Sequence, residues 1–308
     1  MKALVTGGAG FIGSHLVEAL LESGREVAVL DSLATGRIEN VPRDASFYQV
    51  DVTDRSGVAD VFAKEQPEIV CHYAAQASVP KSMEDPAFDA NCNITGSLNV
   101  LLEAMYHGAR RFVFASSAAV YGVPESVPTG EDHPTRPTCP YGVAKLAVEQ
   151  YVAMYGRIEG LSYACLRYAN VFGPRQDPFG EAGVVAIFVG RLLRKGPPVI
   201  FGDGEQTRDY VYVGDAAQAA LKAIESPEHG IYNIGTGIET SVLRLAAHLD
   251  AVTGSGLDPV FGEARTGDVR RSALAATSAR AALGWSPSVD IREGLYHTWR
   301  WHKEHSPA

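Results

Sequence analysis

A tyrosine and a lysine lie four residues apart in the run Tyr141-Gly142-Val143-Ala144-Lys145. On a helix, side chains at this spacing share one face and lie one turn apart. A lysine ammonium favours the charged form of a nearby phenol, so it lowers the tyrosine pKa from about 10 toward that of a working general base. We therefore expect Tyr141 to move a proton and Lys145 to tune it. Because the same spacing is common on amphipathic surface helices, the pair needs support from elsewhere in the chain.

Two serines precede this pair, and Ser117 lies 24 positions before Tyr141. They follow the apolar residues Phe114 and Ala115, so a strand ending here places them at the carboxyl edge of a parallel sheet, where α/β folds bind ligands. A hydroxyl at this edge can hydrogen-bond the substrate oxygen that the tyrosine deprotonates. We favour Ser117 for this role. Ser116 has a comparable position, and capping of the following helix is its alternative role.

A glycine-rich turn near the start of the chain predicts dinucleotide binding. Gly8, Gly10 and Gly13 give the spacing G-x-G-x-x-G, and Gly7 extends it. Glycines permit the tight turn and the backbone approach to a pyrophosphate, and the following helix presents free N–H groups to the phosphates. Asp31 ends the next apolar run about 20 residues on. A carboxylate there accepts hydrogen bonds from the adenosine ribose and repels a 2′-phosphate, so the cofactor is predicted to be NAD rather than NADP.

A second acidic position follows the third apolar run, at Asp51-Val52. Residues that end this strand are placed to flank the adenine of the cofactor. Capping of the following helix by Asp51 explains the carboxylate almost as well. Both explanations stay open at the level of sequence.

Short apolar runs alternate with helical patterns through the first 170 residues, which predicts an α/β, Rossmann-type doubly wound parallel sheet. Glycines and prolines then punctuate the chain, which predicts a second, smaller C-terminal α/β lobe. We expect an NAD-binding domain over residues 1–170 and a second domain over 171–308, with a segment near 230–250 returning to the sheet. The predicted strands are Lys2–Thr6, Glu26–Leu30, Ser46–Val50, Glu68–His72, Arg111–Ala115, Leu161–Tyr168 and Ile231–Ile234, and the predicted helices include Phe11–Ser23, Ala87–Tyr106 and Tyr141–Tyr155.

Composition excludes several classes of partner. The net charge of −9 lacks the basic footprint of a protein that binds nucleic acid or an anionic membrane surface. No run approaches the 18 or so apolar residues of a membrane span, and the first apolar run, Ala3–Val5, is too short for a signal peptide. The four cysteines are scattered without a C-x-x-C pair, which is typical of free thiols in a reducing compartment. We therefore expect a cytoplasmic protein.

Together these motifs resemble the extended short-chain dehydrogenase/reductase superfamily, and within it the UDP-glucose 4-epimerase group. The resemblance covers essentially the whole chain, and it implies that residues 171–308 form a substrate-binding α/β lobe, a nucleotide-sugar-binding domain. It is carried by Gly7–Gly13, Asp31, His72–Gln76, Asn93 with Gly96, Ser116–Gly122, Tyr141–Lys145, Leu166–Pro174 and Gly202–Asp209.

The resemblance implies a set of site residues. Tyr141 would be the acid/base, Lys145 would bind the nicotinamide ribose, and Ser117 would assist. The implied NAD contacts are Gly7, Gly10, Phe11, Ile12, Gly13, Asp31, Asp51, Val52, Ala74, Asn93, Tyr141, Lys145 and Tyr168. The implied UDP-sugar contacts are Ser117, Tyr141, Asn170, Val184, Arg208, Arg265, Asp268 and Ser272.

Two further groups of residues have an alternative explanation. Arg208 and Arg265 would grip the UDP pyrophosphate through bidentate bonds, or they are surface arginines paired with nearby carboxylates. In the family, the helices over residues 87–106 and 141–155 pair with their copies in a homodimer, or their apolar side chains serve only the core. No metal is expected, because His297, His302 and His305 match no usual zinc spacing.

The residues after Ser117 distinguish among reactions of this superfamily. A 4,6-dehydratase places Asp and Glu there, and a decarboxylase usually has Glu at the second place, but this chain has Ala118 and Ala119. A 4-epimerase needs no further acid or base, because a transient 4-keto sugar turns over and receives the hydride on its other face. The alternative functions are those other enzymes, or a dinucleotide-sensing protein without chemistry.

Ser272 bears on the choice of sugar. The resemblance places it beside the C2 substituent, where family members restricted to glucose and galactose tend to carry tyrosine. A small residue leaves room for an acetamido group, so UDP-N-acetylhexosamines are expected to be substrates as well.

Overall fold

The computed structural model of the chain describes residues 1–178, 183–265 and 267–305. Its strands are β1 (Lys2–Thr6), β2 (Glu26–Asp31), β3 (Ser46–Gln49), β4 (Ile69–His72), β5 (Arg111–Ser117), β6 (Tyr163–Tyr168), β7 (Asn170–Phe172), β8 (Val199–Phe201), β9 (Thr207–Arg208), β10 (Tyr210–Tyr212), β11 (Gly230–Ile234), β12 (Thr240–Ser241) and β13 (Val260–Gly262). Its α-helices are α1 (Phe11–Glu22), α2 (Arg55–Glu65), α3 (Val79–Glu84), α4 (Pro86–Ala90), α5 (Gly96–Tyr106), α6 (Pro140–Glu159), α7 (Val184–Leu193), α8 (Val213–Glu225), α9 (Val242–Thr253), α10 (Thr277–Leu283) and α11 (Ile291–His305).

One parallel sheet organises the larger part of the molecule. Within the described residues it has seven strands in the order β11-β6-β5-β4-β1-β2-β3. The order runs outward in both directions from β1, so the point of reversal lies between β1 and β4. Ligands of such sheets bind outside the carboxyl ends of the strands at this point. The predicted doubly wound α/β fold is confirmed.

Helices cover both faces of the sheet because the central strands are apolar on both sides. On one face α1, α8 and α10 bury residues such as Leu16 and Leu20 against the strands. On the other face α2, α5 and α6 bury residues such as Phe62 and Val148. Burying one such side chain stabilises the fold by roughly 1.5–3 kcal/mol. The sheet edge that carries the site is therefore held rigidly.

The C-terminal lobe has its own core. Phe172, Phe188, Leu245 and Leu295 pack together from β7, α7, α9 and α11. Three short strand pairs, β7–β10, β8–β13 and β9–β12, frame this lobe.

The chain passes between sheet and lobe more than once. β11 lies in the sheet beside β6, and α8 packs on α1. The helix after Thr240, which we expected to return with β11, instead packs against α7 and α11. Its Leu245 and Leu249 fit the apolar core of the lobe. Across the described residues, no helix combines the length and apolar character needed to cross a membrane.

The helix predicted over Ala87–Tyr106 is confirmed as one uninterrupted helical run that begins at Pro86 and contains a π-helical turn. It consists of α4, a π-helical turn over Asn91–Thr95, and α5. π-turns are frequently found at functional sites. Here the turn contains Asn93, whose side chain bonds the loop that follows β4.

Candidate active site

The glycine turn between β1 and α1 forms a cradle for a pyrophosphate. Gly7 has φ +69°, and a Cβ atom there would lie 2.5 Å from the amide nitrogen of Ala74. A Cβ atom on Gly13 would lie 2.2 Å from the carbonyl oxygen of Gly7. α1 starts at Phe11, and no side chain in the described part of the protein caps its N-terminus. Its N–H groups and the positive end of its dipole are thus available to an anion, which fits a dinucleotide.

Asp31, at the carboxyl end of β2, ties this cradle together. It is 7% exposed. Its Oδ2 accepts the N–H of Ala9 at 3.0 Å, and its Oδ1 accepts the N–H of Leu33 at 2.8 Å. Because each carboxylate oxygen accepts two hydrogen bonds, capacity is left for a ribose hydroxyl. Asp31 therefore combines a structural role with the position predicted for cofactor selection.

A directed chain of hydrogen bonds passes through buried His72 at the end of β4. The Ala74 N–H donates to Thr6 Oγ1 at 3.3 Å, and Thr6 Oγ1 is 2.6 Å from His72 Nδ1. His72 Nε2 is 2.7 Å from Ser97 Oγ, whose hydroxyl donates to the Asn93 carbonyl at 2.6 Å. Since Ser97 donates onward, His72 Nε2 carries the proton and Nδ1 accepts from Thr6. Burial lowers the pKa of His72 to about 3, so it is neutral.

The loop after β4 is fixed by amide and carboxylate groups. Asn93 Oδ1 accepts the N–H of Gln76, and its Nδ2 donates to the Gln76 carbonyl and to Asp89 Oδ1, each at 2.9 Å. Both N–H groups of the Asn93 amide are thus used inside the protein, which gives Asn93 a positioning role. Burial raises the pKa of Asp89, and its Oδ2 has no hydrogen-bond partner among the described residues. The sequence motifs did not single out Asp89.

Asp51 does not cap the helix that follows it. The N-cap of α2 is Asp54, which accepts the N–H of Gly57 at 3.1 Å. Asp51 Oδ1 accepts from the N–H and hydroxyl of Thr53 at 2.8 and 2.7 Å, and Val52 is buried beside it. The capping explanation is wrong because α2 begins three residues later than it requires. The adenine contact stays a prediction.

Ser117 and Tyr141 come together at the carboxyl end of β5. Ser117 is the last residue of this strand, and Tyr141 is the second residue of α6. Burial raises the pKa of the Tyr141 phenol to about 12, and a hydrogen bond with the Ser117 side chain opposes this effect. The two hydroxyls are therefore placed to share one substrate oxygen.

Lys145 lies one turn further along α6, as its spacing predicts, and its ammonium bonds a backbone carbonyl. Its Nζ donates to the carbonyl of Ala115 at 2.7 Å and lies 5.7 Å from the centre of the Tyr141 ring. Burial lowers the pKa of Lys145 to about 8. In the chain by itself burial is the largest effect on the Tyr141 phenol, so the lowering of its pKa by Lys145 stays a prediction.

Ser116 is committed to a buried network and is not available to a substrate. Its hydroxyl donates to Glu149 Oε1 at 2.5 Å, and Glu149 pairs with Arg167 at 2.7 Å in a fully buried ion pair. The capping role considered for Ser116 belongs to Ser117, whose Oγ accepts the N–H of Ala119 at 3.2 Å. Glu149 lies four residues after Lys145, so helical spacing is the signal that could have found it.

The remaining predicted cofactor residues surround the same sheet edge. Tyr168 ends β6, and its hydroxyl is 2.6 Å from that of Tyr73. Burial raises the pKa of Tyr168 above its ordinary value. Gly10, Phe11 and Ile12 form the start of α1.

A cavity of about 820 Å³ opens in the C-terminal lobe. A volume of this size suits a nucleotide-sized ligand. Its lining includes the five predicted substrate residues Asn170, Val184, Arg208, Arg265 and Asp268, together with Phe201 and Tyr210.

The two predicted arginines are held in different ways. Arg208 donates to the carbonyls of Thr207 and Val269 at 2.7 and 2.6 Å and pairs with Asp268. The Arg265 guanidinium lies over the Phe201 ring, 4.2 Å from its centre. The alternative, that these arginines pair with nearby carboxylates at the surface, is correct for Arg208 in part. Arg208 does pair with a carboxylate, but that carboxylate also lines the cavity. Both arginines line the cavity, and their contact with a diphosphate stays a prediction.

Ser272 is half-buried and is not among the residues that line this cavity. The segment after it is fixed to the loop beyond β5. Thr129 N–H donates to the Ala273 carbonyl at 2.8 Å, and Ala275 N–H donates to the Thr129 carbonyl at 2.9 Å. Ser272 is thereby held at a definite position, while its contact with a sugar stays a prediction.

The C-terminal histidines do not come together as a metal site. His302 is buried, and His305 stacks on Trp301 with ring centres 4.5 Å apart. Over the described ranges, no three His, Cys, Asp or Glu side chains form a group that could hold a metal ion.

Comparison with known proteins supports this geometry. Residues 3–235 match the model of the NAD dependent epimerase/dehydratase family. The UDP-glucose 4-epimerase of Mycolicibacterium smegmatis is 44% identical over 306 residues, which cover 97% of each chain. A Thermotoga maritima UDP-glucose 4-epimerase structure with UDP-glucose has a TM-score of 0.96 at 47% identity and covers 99% of both chains. A Thermus thermophilus UDP-glucose 4-epimerase complex with NAD has a TM-score of 0.93 at 46% identity and covers 100% of both.

Proposed function

We propose, from the premise that this chain belongs to the NAD dependent epimerase/dehydratase family, that it interconverts UDP-glucose and UDP-galactose on bound NAD. The observation that carries this proposal is the Ser117–Tyr141 pair, which lies on the same sheet edge as the glycine cradle. The names of its relatives, UDP-glucose 4-epimerases of 44–47% identity along nearly the whole chain, support it.

Tyr141 is the proton-transfer group in this proposal. It takes the proton of the sugar 4-hydroxyl as the sugar is oxidised, and it returns the proton when the 4-keto group is reduced from the other face. Ser117 holds the same oxygen by a hydrogen bond, so the oxygen stays in place while the charge moves.

The protein alone keeps Tyr141 protonated, since burial raises its pKa to about 12. When bound, NAD supplies a positive ring beside this phenol and a hydride acceptor for carbon 4 of the sugar. Lys145 adds a buried cation on the same helix face, and we expect it to hold the nicotinamide ribose. The reaction has no net redox change, so the chain needs no further electron carrier.

The turn after Ser117 excludes competing reactions. Ala118 and Ala119 form the start of a 3-10 turn there, and their methyl groups cannot move protons. A dehydratase needs an acid and a base at these places, and a decarboxylase usually has a carboxylate at the second. The 4-keto sugar is therefore reduced again rather than altered at carbon 5 or 6.

The C-terminal lobe supplies the grip on the nucleotide. Arg208 and Arg265 provide planar donor forks for the diphosphate of a UDP-sugar, in a chain whose overall charge of −9 would otherwise repel it. Holding the nucleotide by its phosphates leaves the sugar free to turn over between its two faces.

The proposed enzyme is a cytoplasmic homodimer. Exposed apolar side chains on α5 and α6 support a homodimer, in which these helices pair with their copies. Free cysteines, of which Cys71 and Cys165 are buried, support a reducing, cytoplasmic location.

The test is NMR of the purified protein incubated with UDP-glucose and, separately, with UDP-galactose. Both reactions should reach the same equilibrium mixture with only catalytic amounts of NAD. NADH that accumulates in step with product would indicate a dehydrogenase instead. Tight NAD binding without any turnover would favour the dinucleotide-sensing alternative.

A further inference from the structure

Tyr210 lines the nucleotide cavity but was given no role by the sequence motifs. It is 5% exposed, and its hydroxyl oxygen is buried with no hydrogen-bond partner among the described residues. A buried hydroxyl that has lost its bonds to water is costly unless a new partner replaces them. In the wall of a ligand cavity, the natural replacement is an acceptor that arrives with the ligand.

Strand alternation places this hydroxyl beside Arg208. Residues two positions apart in extended chain present their side chains to one face. Arg208 and Tyr210 both line the cavity, whereas the intervening Asp209 faces away and accepts the N–H of Thr236 at 2.9 Å. Across the β7–β10 pair, Tyr210 lies opposite Asn170, which also lines the cavity.

The surroundings define the hydroxyl as a neutral donor. The Tyr210 ring is held edge-on against Phe172, with ring centres 6.3 Å apart. Burial raises the pKa of Tyr210 well above its ordinary value, and the charges of Arg208 and Asp268 act on it. Its O–H is therefore available to donate at neutral pH and does not act as a base.

We propose that the Tyr210 hydroxyl donates a hydrogen bond to a phosphate oxygen of the nucleoside diphosphate, beside the Arg208 guanidinium. This inference rests on the proposed function, because it takes a UDP-sugar as the ligand. A phosphate oxygen can accept from a guanidinium and from a hydroxyl at the same time. In the present structure the Arg208 guanidinium is paired with Asp268, so a diphosphate that binds competes with that carboxylate. The diphosphate then accepts hydrogen bonds from both the guanidinium and the Tyr210 hydroxyl.

The variant Tyr210→Phe removes the hydroxyl and keeps the ring. Calorimetry on the NAD-loaded protein should show UDP binding weakened about tenfold to a hundredfold, as expected for a hydrogen bond to a charged group. KM for UDP-glucose should rise with kcat within about twofold, because the bond is made equally in ground and transition states. Without UDP, the variant should melt no lower than the wild type, since it lacks an unpartnered hydroxyl.

The matched control is Tyr212→Phe, the same change two positions along β10. Tyr212 packs against His297, with ring centres 6.0 Å apart, and lies outside the cavity lining. UDP binding by this variant should stay within twofold of wild type. Uridine binding, measured by NMR titration, should be the same in wild type and Tyr210→Phe.

Several results would overturn the inference while leaving the proposed function intact. These are UDP binding by Tyr210→Phe within twofold of wild type, an equal loss in Tyr212→Phe, a lower melting temperature that accompanies the weaker binding, or an equal loss for uridine. The proposed function fails separately, if the wild-type protein neither binds UDP nor converts UDP-glucose.

Discussion

At Tyr141, two effects act on a single proton in opposite directions. Burial favours the neutral phenol, and the hydrogen bond with Ser117 favours the ionised form, with burial the stronger. The Lys145 ammonium donates to the Ala115 carbonyl, and the pKa of Tyr141 is raised although this cation is nearby. In the proposed mechanism, the positive charge of bound NAD would favour the ionised form of this phenol, which burial by itself disfavours.

Tyr141→Phe removes this proton-transfer group and should leave the fold unchanged, because the ring is retained. We expect kcat for UDP-glucose conversion to fall about 10²–10⁴-fold, the usual cost of losing a general acid/base. NAD binding should persist. The control is Tyr155→Phe on the same helix, whose ring packs in the core under the sheet. Near-wild-type turnover by Tyr141→Phe would remove this residue from the mechanism.

Ser272 is the residue at which we expect sugar choice to be decided. Wild type should convert N-acetylated as well as plain UDP-sugars, because a serine leaves the C2 position open. In Ser272→Tyr, overpacking of about 1–3 kcal/mol should lower kcat/KM for acetylated substrates roughly tenfold to a hundredfold. Activity on plain sugars should be retained, and Ser272→Ala should resemble wild type.

Comparison of kcat/KM for the two substrate classes in these three proteins decides the matter. A wild type inactive on acetylated sugars, or a tyrosine variant that keeps full activity on them, would show that Ser272 is not the gate.

At the level of elements, the seven strands of the large sheet could be predicted, whereas the short strand pairs of the C-terminal lobe and the partners of polar side chains could not. Apolar runs such as Ile69–His72 are long enough to require burial on both faces, so their pattern suffices. Ser116 bonds a buried carboxylate, whereas Ser117 does not. That carboxylate belongs to Glu149, which is more than 30 positions away in the chain. The side chain of Asn93 likewise finds its partner in Gln76, 17 positions away in the chain. Such contacts are set by tertiary packing and leave no local pattern.

Tyr210 is an intermediate case. Its strand neighbour Arg208 belonged to a recognised motif, and a period of two predicts that both face the same way. The signal was therefore present, but it required knowledge that the chain is extended here. The burial of the hydroxyl without a partner could be seen only in the folded protein.

His72 connects β4 to β1 and α5, and its burial in the neutral form makes stability depend on pH. The unfolded chain binds a proton near pH 6.5, whereas the folded chain does so only near pH 3. Below pH 6.5 the unfolded state thus holds more protons, so acidification destabilises the fold. The free energy of unfolding should fall by up to about 1.4 kcal/mol per pH unit from this group.

His72→Gln should remove this contribution, since glutamine also donates and accepts but does not titrate. Urea unfolding between pH 6.5 and 4.5 should give a flatter pH dependence than in wild type. His305→Gln, at the exposed end of α11, should keep the wild-type slope. Equal slopes for wild type and His72→Gln would contradict the assignment.

In the molecule as a whole, the boundary between sheet and lobe does not correspond to a single cut in the sequence. α8 and β11 come from the second half but pack with the sheet, while α7, α9 and α11 form the lobe. The boundary near residue 170 therefore stays a prediction. The crossings connect the lobe that holds the cavity to the sheet at more than one place in the chain.

The surface formed by α5 and α6 carries exposed apolar side chains. α5 and α6 lie against each other, and each carries exposed apolar side chains at helical spacing. Leu102 and Tyr106 share a face of α5, and Tyr151 and Ile158 share a face of α6. The buried faces of the same helices already fill the core under the sheet, so these residues are surplus to it. Their exposure is explained if a second copy covers them.

The corresponding prediction is that the wild-type protein sediments as a dimer of 32.9 kDa chains. Leu102→Glu combined with Tyr151→Glu should give a monomer, because two charges would then have to be buried without partners. Ile238→Glu, which changes an exposed apolar residue far along the chain, should leave the dimer intact. NAD binding should survive in both variants, since the glycine cradle lies in the turn between β1 and α1, outside the substituted residues. A wild-type monomer, or a double variant that still dimerises, would contradict pairing through this face.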